Sequence, residues 1–335
     1  MLKEYKKISV LLLIFVLMLP VYPACPSEAS FCAKVKENNW DILAGNQNIL
    51  CKLYLNGRFT PISSELGYVF SISPDGQKIV YRESIQSSGT FLTISNLDGS
   101  QKERLFKSDQ EKWVQNAIWS PVNNNEIAYL GDYNYERATC SLYIFNIKEK
   151  SSHLVVKDSV NALSPLVFSW SPDGKRITFT DAAGHIMVVD KNGSHLTQIT
   201  EDFGDVPSWS PDGKKIAYRQ GKRWRKFYKN GHESQEGRTG DGKYYVLNLE
   251  TKNRKEIFNN KAFWIYPLGI ASQPVWSPDS RYVLLNKWIG GDITPLHAEY
   301  WCIDIKKRRG RIIHNFKSKL TPNSNIFWRK TRNDK

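Results

Sequence analysis

Alanine is scarce in this sequence: 14 in 335 residues, against 21 glycines and an aromatic share of 13%. The best helix former is missing where strand and turn residues abound, so the composition leans all-β. Cysteine is few as well, and five are too few to staple a disulfide scaffold. A mean hydropathy of -0.47 excludes a multi-span membrane protein, while 41% hydrophobic residues exclude disorder and suffice for a sizeable core. Catalytic signatures are missing too. There is no Gly-x-Ser-x-Gly nucleophile elbow, and no α/β-hydrolase domain to carry one. Six histidines, at 153, 185, 195, 232, 297 and 314, show no metal-ligand spacing, so no metal and no cofactor is expected. His185 and His195 fall at opposite ends of one hairpin and read as satisfied surface histidines. Asp202-Phe203-Gly204 matches a kinase tripeptide without the Gly-rich loop or catalytic-loop phrase, which makes it a chance hit. Asp202 with Asp205 is an acid pair of the kind expected by chance among 33 acidic residues.

What is present begins with an address. Lys3, Lys6 and Lys7 precede an almost wholly apolar run over residues 8–19, the layout of an export signal. Twelve apolar residues make a helix of about 18 Å, short of the roughly 30 Å hydrocarbon core, so cleavage is favoured over a spanning anchor. Two cleavage points stay open. Tyr22-Pro23-Ala24-Cys25 resembles a lipoprotein box, with Cys25 as the lipidated residue, although Tyr and Pro replace the usual residues ahead of the small one; Ser27-Glu28-Ala29 suits an ordinary signal peptidase. The expected layout is a signal over residues 1–24 (cleavage after 24 or 29), a leading segment over 25–39, one domain over 40–329 and a basic tail over 330–335. Removing the signal lowers the formal net charge from +14 to about +12. Outside the cytosol such a charge points to an anionic surface or polymer, or to an envelope protein, rather than to genomic nucleic acid; the bland alternative is solubility by self-repulsion. An oxidising compartment makes Cys32 with Cys51 the plausible disulfide, while Cys140 and Cys302 read as small buried hydrophobes.

One phrase recurs through the remainder: Phe70-Ser71-Ile72-Ser73-Pro74-Asp75-Gly76, Ala117-Ile118-Trp119-Ser120-Pro121, Phe168-Ser169-Trp170-Ser171-Pro172-Asp173-Gly174, Pro207-Ser208-Trp209-Ser210-Pro211-Asp212-Gly213 and Pro274-Val275-Trp276-Ser277-Pro278-Asp279-Ser280, with a worn copy at Ile326-Phe327-Trp328-Arg329. The intervals from 72 to 328 are 47, 51, 39, 67 and 52 residues, the spacing of a supersecondary repeat. In each copy an apolar stub, usually ending in Trp, meets a tight turn in which Pro presets φ, Asp bonds back to the backbone and Gly takes a conformation others resist. Strands follow at matching offsets, Ile79-Val80-Tyr81, Ile127-Ala128-Tyr129, Ile177-Thr178-Phe179, Ile216-Ala217-Tyr218 and Val283-Leu284-Leu285, each a short apolar run of the kind buried on both faces. Further strands after a gap, such as 185–190 and 195–199 around Lys191-Asn192-Gly193, make each unit a four-stranded sheet. The last copy has no room for three more strands, and residues 40–44, 49–55 and 59–62 supply them from the other end. The expectation is an all-β, six-bladed β-propeller closed by N-terminal strands pairing with the C-terminal strand, which hides otherwise sticky edges.

The phrase Trp-Ser-Pro-Asp-Gly-Lys-x-Ile, strongest at 170–177 and 209–216, resembles the WD-like repeat of TolB-type propellers, also found in the propeller domains of prolyl-oligopeptidase-type peptidases. The likeness covers residues 40–329. It implies a propeller fold and, because TolB-type propellers include a periplasmic component of an envelope machine, a place in the bacterial cell envelope. It carries over no contact residue. Only about 10 to 15 residues of the mature chain precede the first strand, so the separate N-terminal α/β domain of that machine's component has no expected counterpart. Within the repeat, Trp119, Trp170, Trp209, Trp276 and Trp328 are expected to be structural anchors.

In such a sheet the first and third turns share one end, and the second-to-third loop lies at the other. The long segments 220–243, 286–298 and 131–139 and the connections around Trp113, Phe203 and Trp264 fall at the second end, where binding on a rigid scaffold usually sits. The most pointed stretch is Lys222-Arg223-Trp224-Arg225-Lys226-Phe227-Tyr228, joined as candidate binding residues by Trp264 and Trp288. Bases interleaved with aromatics grip anionic polymers, sugars or lipid headgroups; the bland reading is an extended hairpin with solvated charges. A second basic cluster, residues 306–311, falls in a turn at the opposite end. The sequence thus reads as a non-enzymatic exported binding scaffold, with a propeller enzyme acting on a cell-wall or extracellular saccharide as the alternative.

Overall fold

The computed structural model describes residues 40–45, 49–53, 59–64, 66–86, 88–108, 114–134, 136–162, 168–227, 233–259, 273–289, 297–307, 309–316 and 325–330. The chain divides into two units, Met1–Trp40 with Thr331–Lys335, and Asp41–Lys330. Of the first only Trp40 is described. Cys25 and Cys32, and with them the signal, the lipidation site and the proposed disulfide, lie outside the described residues.

No helix occurs among the described residues, and their strands form six four-stranded sheets, in which consecutive strands pair antiparallel. Sheet I runs in the order β24 (Asn325–Lys330), β1 (Trp40–Gly45), β2 (Ile49–Leu53), β3 (Phe59–Ser64). Each other sheet is a sequential meander: sheet II is β4 (Tyr68–Ile72), β5 (Lys78–Ile85), β6 (Gly89–Asn96) and β7 (Glu103–Ser108); sheet III is β8 (Asn116–Trp119), β9 (Glu126–Asn134), β10 (Thr139–Asn146) and β11 (Ser151–Asn161). Sheet IV is β12 (Phe168–Trp170), β13 (Arg176–Thr180), β14 (Ile186–Asp190) and β15 (Thr197–Gln198); sheet V is β16 (Gly204–Trp209), β17 (Lys215–Phe227), β18 (Glu233–Asn248) and β19 (Arg254–Asn259). Sheet VI is β20 (Val275–Trp276), β21 (Tyr282–Ile289), β22 (His297–Asp304) and β23 (Arg309–Phe316).

The second strand of each meander shows why its sequence is continuously apolar. A strand exposes alternate residues to opposite faces, and here both faces are covered. Ile79 and Tyr81 pack with Leu43 and Leu50 of sheet I, whereas Val80 between them packs with Trp119 and Ile127 of sheet III. Likewise Tyr129 belongs to the core shared with sheet II, and Ala128 and Leu130 to the core shared with sheet IV. Val188 of sheet IV meets Trp209 and Ile216 of sheet V, and Ala217 of sheet V meets Trp276 and Val283 of sheet VI. Each sheet from II to V therefore helps to build two hydrophobic layers, one with each neighbour in the chain.

The repeated turn is a small hydrogen-bonded unit. In sheet II the Ser73 hydroxyl donates to Asp75 Oδ1 (2.6 Å) and accepts from Lys78 N–H (2.9 Å), while Asp75 Oδ1 accepts from Gln77 N–H (3.0 Å). The same three bonds recur at Ser171, Ser210 and Ser277. Gly76, Gly174 and Gly213 close these turns at φ of 69°, 67° and 71°, and Ser280 takes the corresponding position at 56°. The Ser280 hydroxyl accepts from Asp212 N–H of the preceding sheet (2.9 Å), so the departure from glycine supplies an inter-sheet bond. The copy at Ser120 lacks the aspartate. Its turn is one residue longer, Ser120 N–H donates to Glu126 O (2.9 Å), and the buried Ser120 hydroxyl has no partner among the described residues.

Trp119, Trp170, Trp209 and Trp276 are all buried, at 4 to 5% exposure. Trp119 N–H donates to Ser71 Oγ (2.8 Å) and Trp209 N–H to Ser169 Oγ (3.2 Å), each in the preceding sheet. The Trp170 and Trp276 indoles instead reach the preceding sheet's backbone, at Ile118 O (3.1 Å) and Ser208 O (3.0 Å). Trp328 lies in β24, beside β1.

The fourth strand of sheet IV is shorter than the run 195–199 suggests: only Thr197 and Gln198 pair, opposite Val188 and Met187. His195 interrupts it with φ of 52° and Leu196 is 52% exposed, so of the apolar residues in that run only Ile199 packs against a core.

Candidate functional site

Antiparallel pairing puts the first-to-second and third-to-fourth turns of a meander at one end and the second-to-third loop at the other. At this second end the inner strands are stitched to their neighbours by long polar side chains. Arg82 donates to Val114 O (3.3 Å) and lies 5.7 Å from the Tyr68 ring and 6.0 Å from the Phe70 ring. Burial lowers the Arg82 pKa and raises that of Tyr68, the latter partly offset by the Arg82 charge. Gln115 Nε2 donates to Ala162 O (3.2 Å). Gln273, just before β20, donates to both Phe168 O (2.9 Å) of sheet IV and Pro207 O (2.7 Å) of sheet V, tying three successive sheets. These groups bond to main-chain carbonyls and hold the scaffold. The sequence gives no sign of them, because the partners of Gln273 lie 66 and 105 residues away.

The acids near this end are committed. Asp205 and Arg219 form a two-pronged pair (2.8 and 2.5 Å) with side chains only 5% and 13% exposed. Asp202 accepts from Arg254 (2.7 Å) and Gln220 (3.3 Å), and Glu256 from Tyr245 (3.3 Å) with Lys243 at 3.7 Å. The acid pair noted in the sequence is therefore two separate ion pairs. In sheet III, Asp132 accepts from Tyr143, and Asp158 accepts from Thr139, Asn134 and Arg137. Burial and the Asp132 charge push the Tyr143 hydroxyl up to about 12; burial, then the Asp158 and Asp132 charges, push the Cys140 thiol to about 12, a protonated and unreactive group. Cys140 and Cys302 are both buried and neither is in a disulfide; the Cys140 thiol donates to Val160 O (3.7 Å). No three His, Cys, Asp or Glu side chains converge on a metal position among the described residues. His185 pairs with Asp181 (3.4 Å) and His195 with Asp190 (2.7 Å), at opposite ends of β14.

The candidate binding stretch lies in the longest strand pair among the described residues. Residues 222–227 belong to β17 and pair with β18: Lys222 opposite Thr239, Arg223 opposite Arg238, Trp224 opposite Gly237, Arg225 opposite Glu236, Lys226 opposite Gln235 and Phe227 opposite Glu233. β16 accompanies β17 only as far as Gln220, and β19 accompanies β18 only from Lys243. Beyond those residues the two strands continue as a ribbon that pairs with no third strand among the described residues. Trp288 stands in β21 opposite Ala298. Tyr228 and Trp264 lie outside the described residues, as does Trp113. Of the second basic cluster, Lys306 and Lys307 are exposed in the turn between β22 and β23, whereas Arg309 and Arg311 lie in β23.

No protein-family model matches the chain, and a search of curated proteins finds no match. Solved structures do match. TolB from Acinetobacter baumannii aligns with a TM-score of 0.60 at 16% identity, covering 90% of this chain and 70% of that one. A protein from Agrobacterium tumefaciens assigned as a TolB aligns with a TM-score of 0.55 at 15% identity, covering 88% and 99%. An oligogalacturonate lyase in complex with manganese aligns at 0.52 and 12% identity, covering 77% and 72%. At these identities the likeness is one of fold, and it spans proteins whose names differ in function. The chain has a TolB-like propeller fold.

Proposed function

We propose that this chain is an exported, non-enzymatic β-propeller that serves as a binding scaffold in the bacterial cell envelope. Six four-stranded sheets, shared cores between successive sheets, and β24 placed beside β1 and against β4 support a ring of six blades latched by strands from both ends of the domain. The export signal and the resemblance of the Trp-Ser-Pro-Asp-Gly phrase to WD-like repeats support the envelope location. The observation that carries the binding role is the ribbon of β17 and β18, which continues past its flanking strands bearing a basic and aromatic stretch, while Asp205 and Asp202 are paired with Arg219 and Arg254. Its partner class is an envelope protein or an anionic surface or polymer, and a lipid on Cys25 is one way the chain would be held nearby.

The test is capture from envelope extracts with the full chain and with a chain whose ribbon residues 222–226 are neutralised. Specific, saturable capture of an envelope component that the neutralised chain loses supports the reading. Turnover of cell-wall or extracellular saccharides by the purified chain, at a rate that scales with enzyme concentration, would replace it with the propeller-enzyme alternative.

A further inference from the structure

The turn between β14 and β15 carries a triplet that the fold does not require. Asn192-Gly193-Ser194 is the one Asn-x-Ser/Thr triplet in the sequence, and the glycine at its centre meets the rule that x is not proline. In an exported chain such a triplet is the acceptor for an N-linked glycan. Asp190 stands two residues ahead of the asparagine, which gives the acid-led form Asp-x-Asn-x-Ser that bacterial transferases of this class take.

The geometry presents the acceptor group. Asn192 is exposed, its Oδ1 accepts from Ser194 N–H (3.0 Å) and from the Ser194 hydroxyl (2.7 Å), and Gly193 joins the two at φ of 86°. Two donors on the oxygen stabilise the charge that builds there as Nδ2 gives up a proton. Nδ2 itself makes no hydrogen bond among the described residues. The bland reading, in which Asn192 only closes a turn, meets a comparison inside the molecule. In the equivalent turn of sheet II, Asp98 Oδ1 accepts from Ser100 N–H (2.9 Å) and the Ser100 hydroxyl (2.7 Å), with Gly99 at φ of 85°. A carboxylate closes this turn as well as an amide does. The turn needs the oxygen, and Nδ2 is what sheet IV has in addition. Deamidation, the usual fate of an Asn-Gly pair, is restrained, because the Gly193 nitrogen that would attack Asn192 Cγ is engaged in donating to Asp190 O (2.8 Å).

We propose that Asn192 is an N-glycosylation site. A transferase passes an oligosaccharide to it from a polyprenyl diphosphate donor. The bond from sugar C1 to Asn192 Nδ2 forms, the bond from C1 to the diphosphate oxygen breaks with its electron pair leaving on the diphosphate, and one Nδ2 proton passes to a base of the transferase. Within sheet IV the turn lies at the same end as the Ser-Pro-Asp-Gly turn, opposite the second-to-third loop, so the glycan leaves the candidate binding end open. The proposal rests on the export reading, since donor and transferase meet the chain on the far side of the membrane.

The experiment produces the full chain in bacteria that carry such a transferase and its lipid-linked glycan, beside a secreted acceptor protein that is modified in the same cells, and reads the peptide masses of the purified chain. A glycan on the peptide that contains Asn192 is the expected result. Asn192→Asp, which copies the sheet II turn, should abolish it while melting within about 1 °C of the parent. Ser194→Ala should also abolish it, and Ser194→Thr should retain it. Asp190→Asn should lower the occupancy, and Asp190→Glu should retain it. Asp98→Asn gives sheet II the same triplet, led by Asn96 instead of an acid, and should take glycan at a lower occupancy than Asn192. A glycan at position 98 of that variant with none on Asn192 would overturn the proposal. A chain whose signal has been removed and whose Asn192 stays unmodified would overturn it and leave the export reading standing; a chain that keeps its signal and stays unmodified would overturn both.

Discussion

Replacing Trp209 by alanine tests the repeat where it is most completely described. The side chain is 5% exposed and packs with Val188 of the preceding sheet and Ile216 of its own. The Arg176 guanidinium stands 4.9 Å from the ring, and the indole N–H donates to Gly213 O (3.3 Å) in the turn. The hydrogen bond and the cation contribute little, because Arg176 is exposed and water can reach the turn. Loss of apolar burial and the cavity left behind dominate, and together cost about 3–5 kcal/mol. An unfolding entropy of about 2.1 cal/mol/K per residue over roughly 290 residues gives about 0.6 kcal/mol/K, so the melting temperature should fall by about 5–8 °C in a calorimetric scan. Trp209→Phe keeps most of the burial and should cost about 1–2 kcal/mol. Ser169→Ala probes the same joint from the other side: it leaves the buried Trp209 N–H without its acceptor, for about 1–3 kcal/mol. A Trp209→Ala protein melting within about 1 °C of the parent would refute the assignment of this tryptophan as the wedge between sheets IV and V.

Two further outcomes follow from the turns and their carboxylates. Gly213 and Gly174 share a left-handed backbone, but a Cβ at Gly213 would meet only Pro172 at 3.4 Å, whereas one at Gly174 would lie 2.5 Å from Val122 Cγ2. Chemical denaturation should therefore show a loss of about 1 kcal/mol for Gly213→Ala and a larger one for Gly174→Ala, and equal losses would mean that Val122 moves aside freely. Burial alone would raise the Asp212 carboxyl, but bonds from Lys215, Ser210 and Lys214 N–H outweigh it and hold the pKa below 3.8; Asp304 is held low in the same way by Lys307 N–H, Arg281 and Lys306 N–H. A depressed folded pKa gives stability that is fully present above the unfolded value and is lost as pH falls through the folded one, so the melting temperature should drop below about pH 4. Asp212→Asn with Asp304→Asn should lower the neutral-pH value and flatten that acid slope; an unaltered slope would exclude these two carboxylates as its source.

How far the sequence could be read depended on how local the governing interaction is. The Ser-Pro-Asp-Gly turns close within six residues through their own side chains, so their chemistry is written in order along the chain. The runs around Val80, Ala128 and Ala217 are legible for a related reason: a strand covered on both faces has no polar alternation to show. β15 misled because His195 at positive φ breaks a run that reads as a full strand. The joints between sheets could not be read at all. Nothing marks Trp119 and Trp209 as bonding through the main chain to a serine 48 or 40 residues earlier, while Trp170 and Trp276 bond through the indole. At the candidate site the composition of the ribbon was legible but its register was not. The two-residue shift at Gly221 decides that Arg223 stands opposite Arg238 rather than Gly240, and nothing in the sequence marks that shift.

The strand order of sheet I bears on how the chain comes to be folded. β1 acquires its neighbour β24 from a segment synthesised roughly 280 residues later, the most expensive loop closure in the molecule. Until it arrives, the other five sheets can assemble in the order of their synthesis while β1 displays bare amides and carbonyls. That interval is the window in which two nascent copies could exchange their terminal strands.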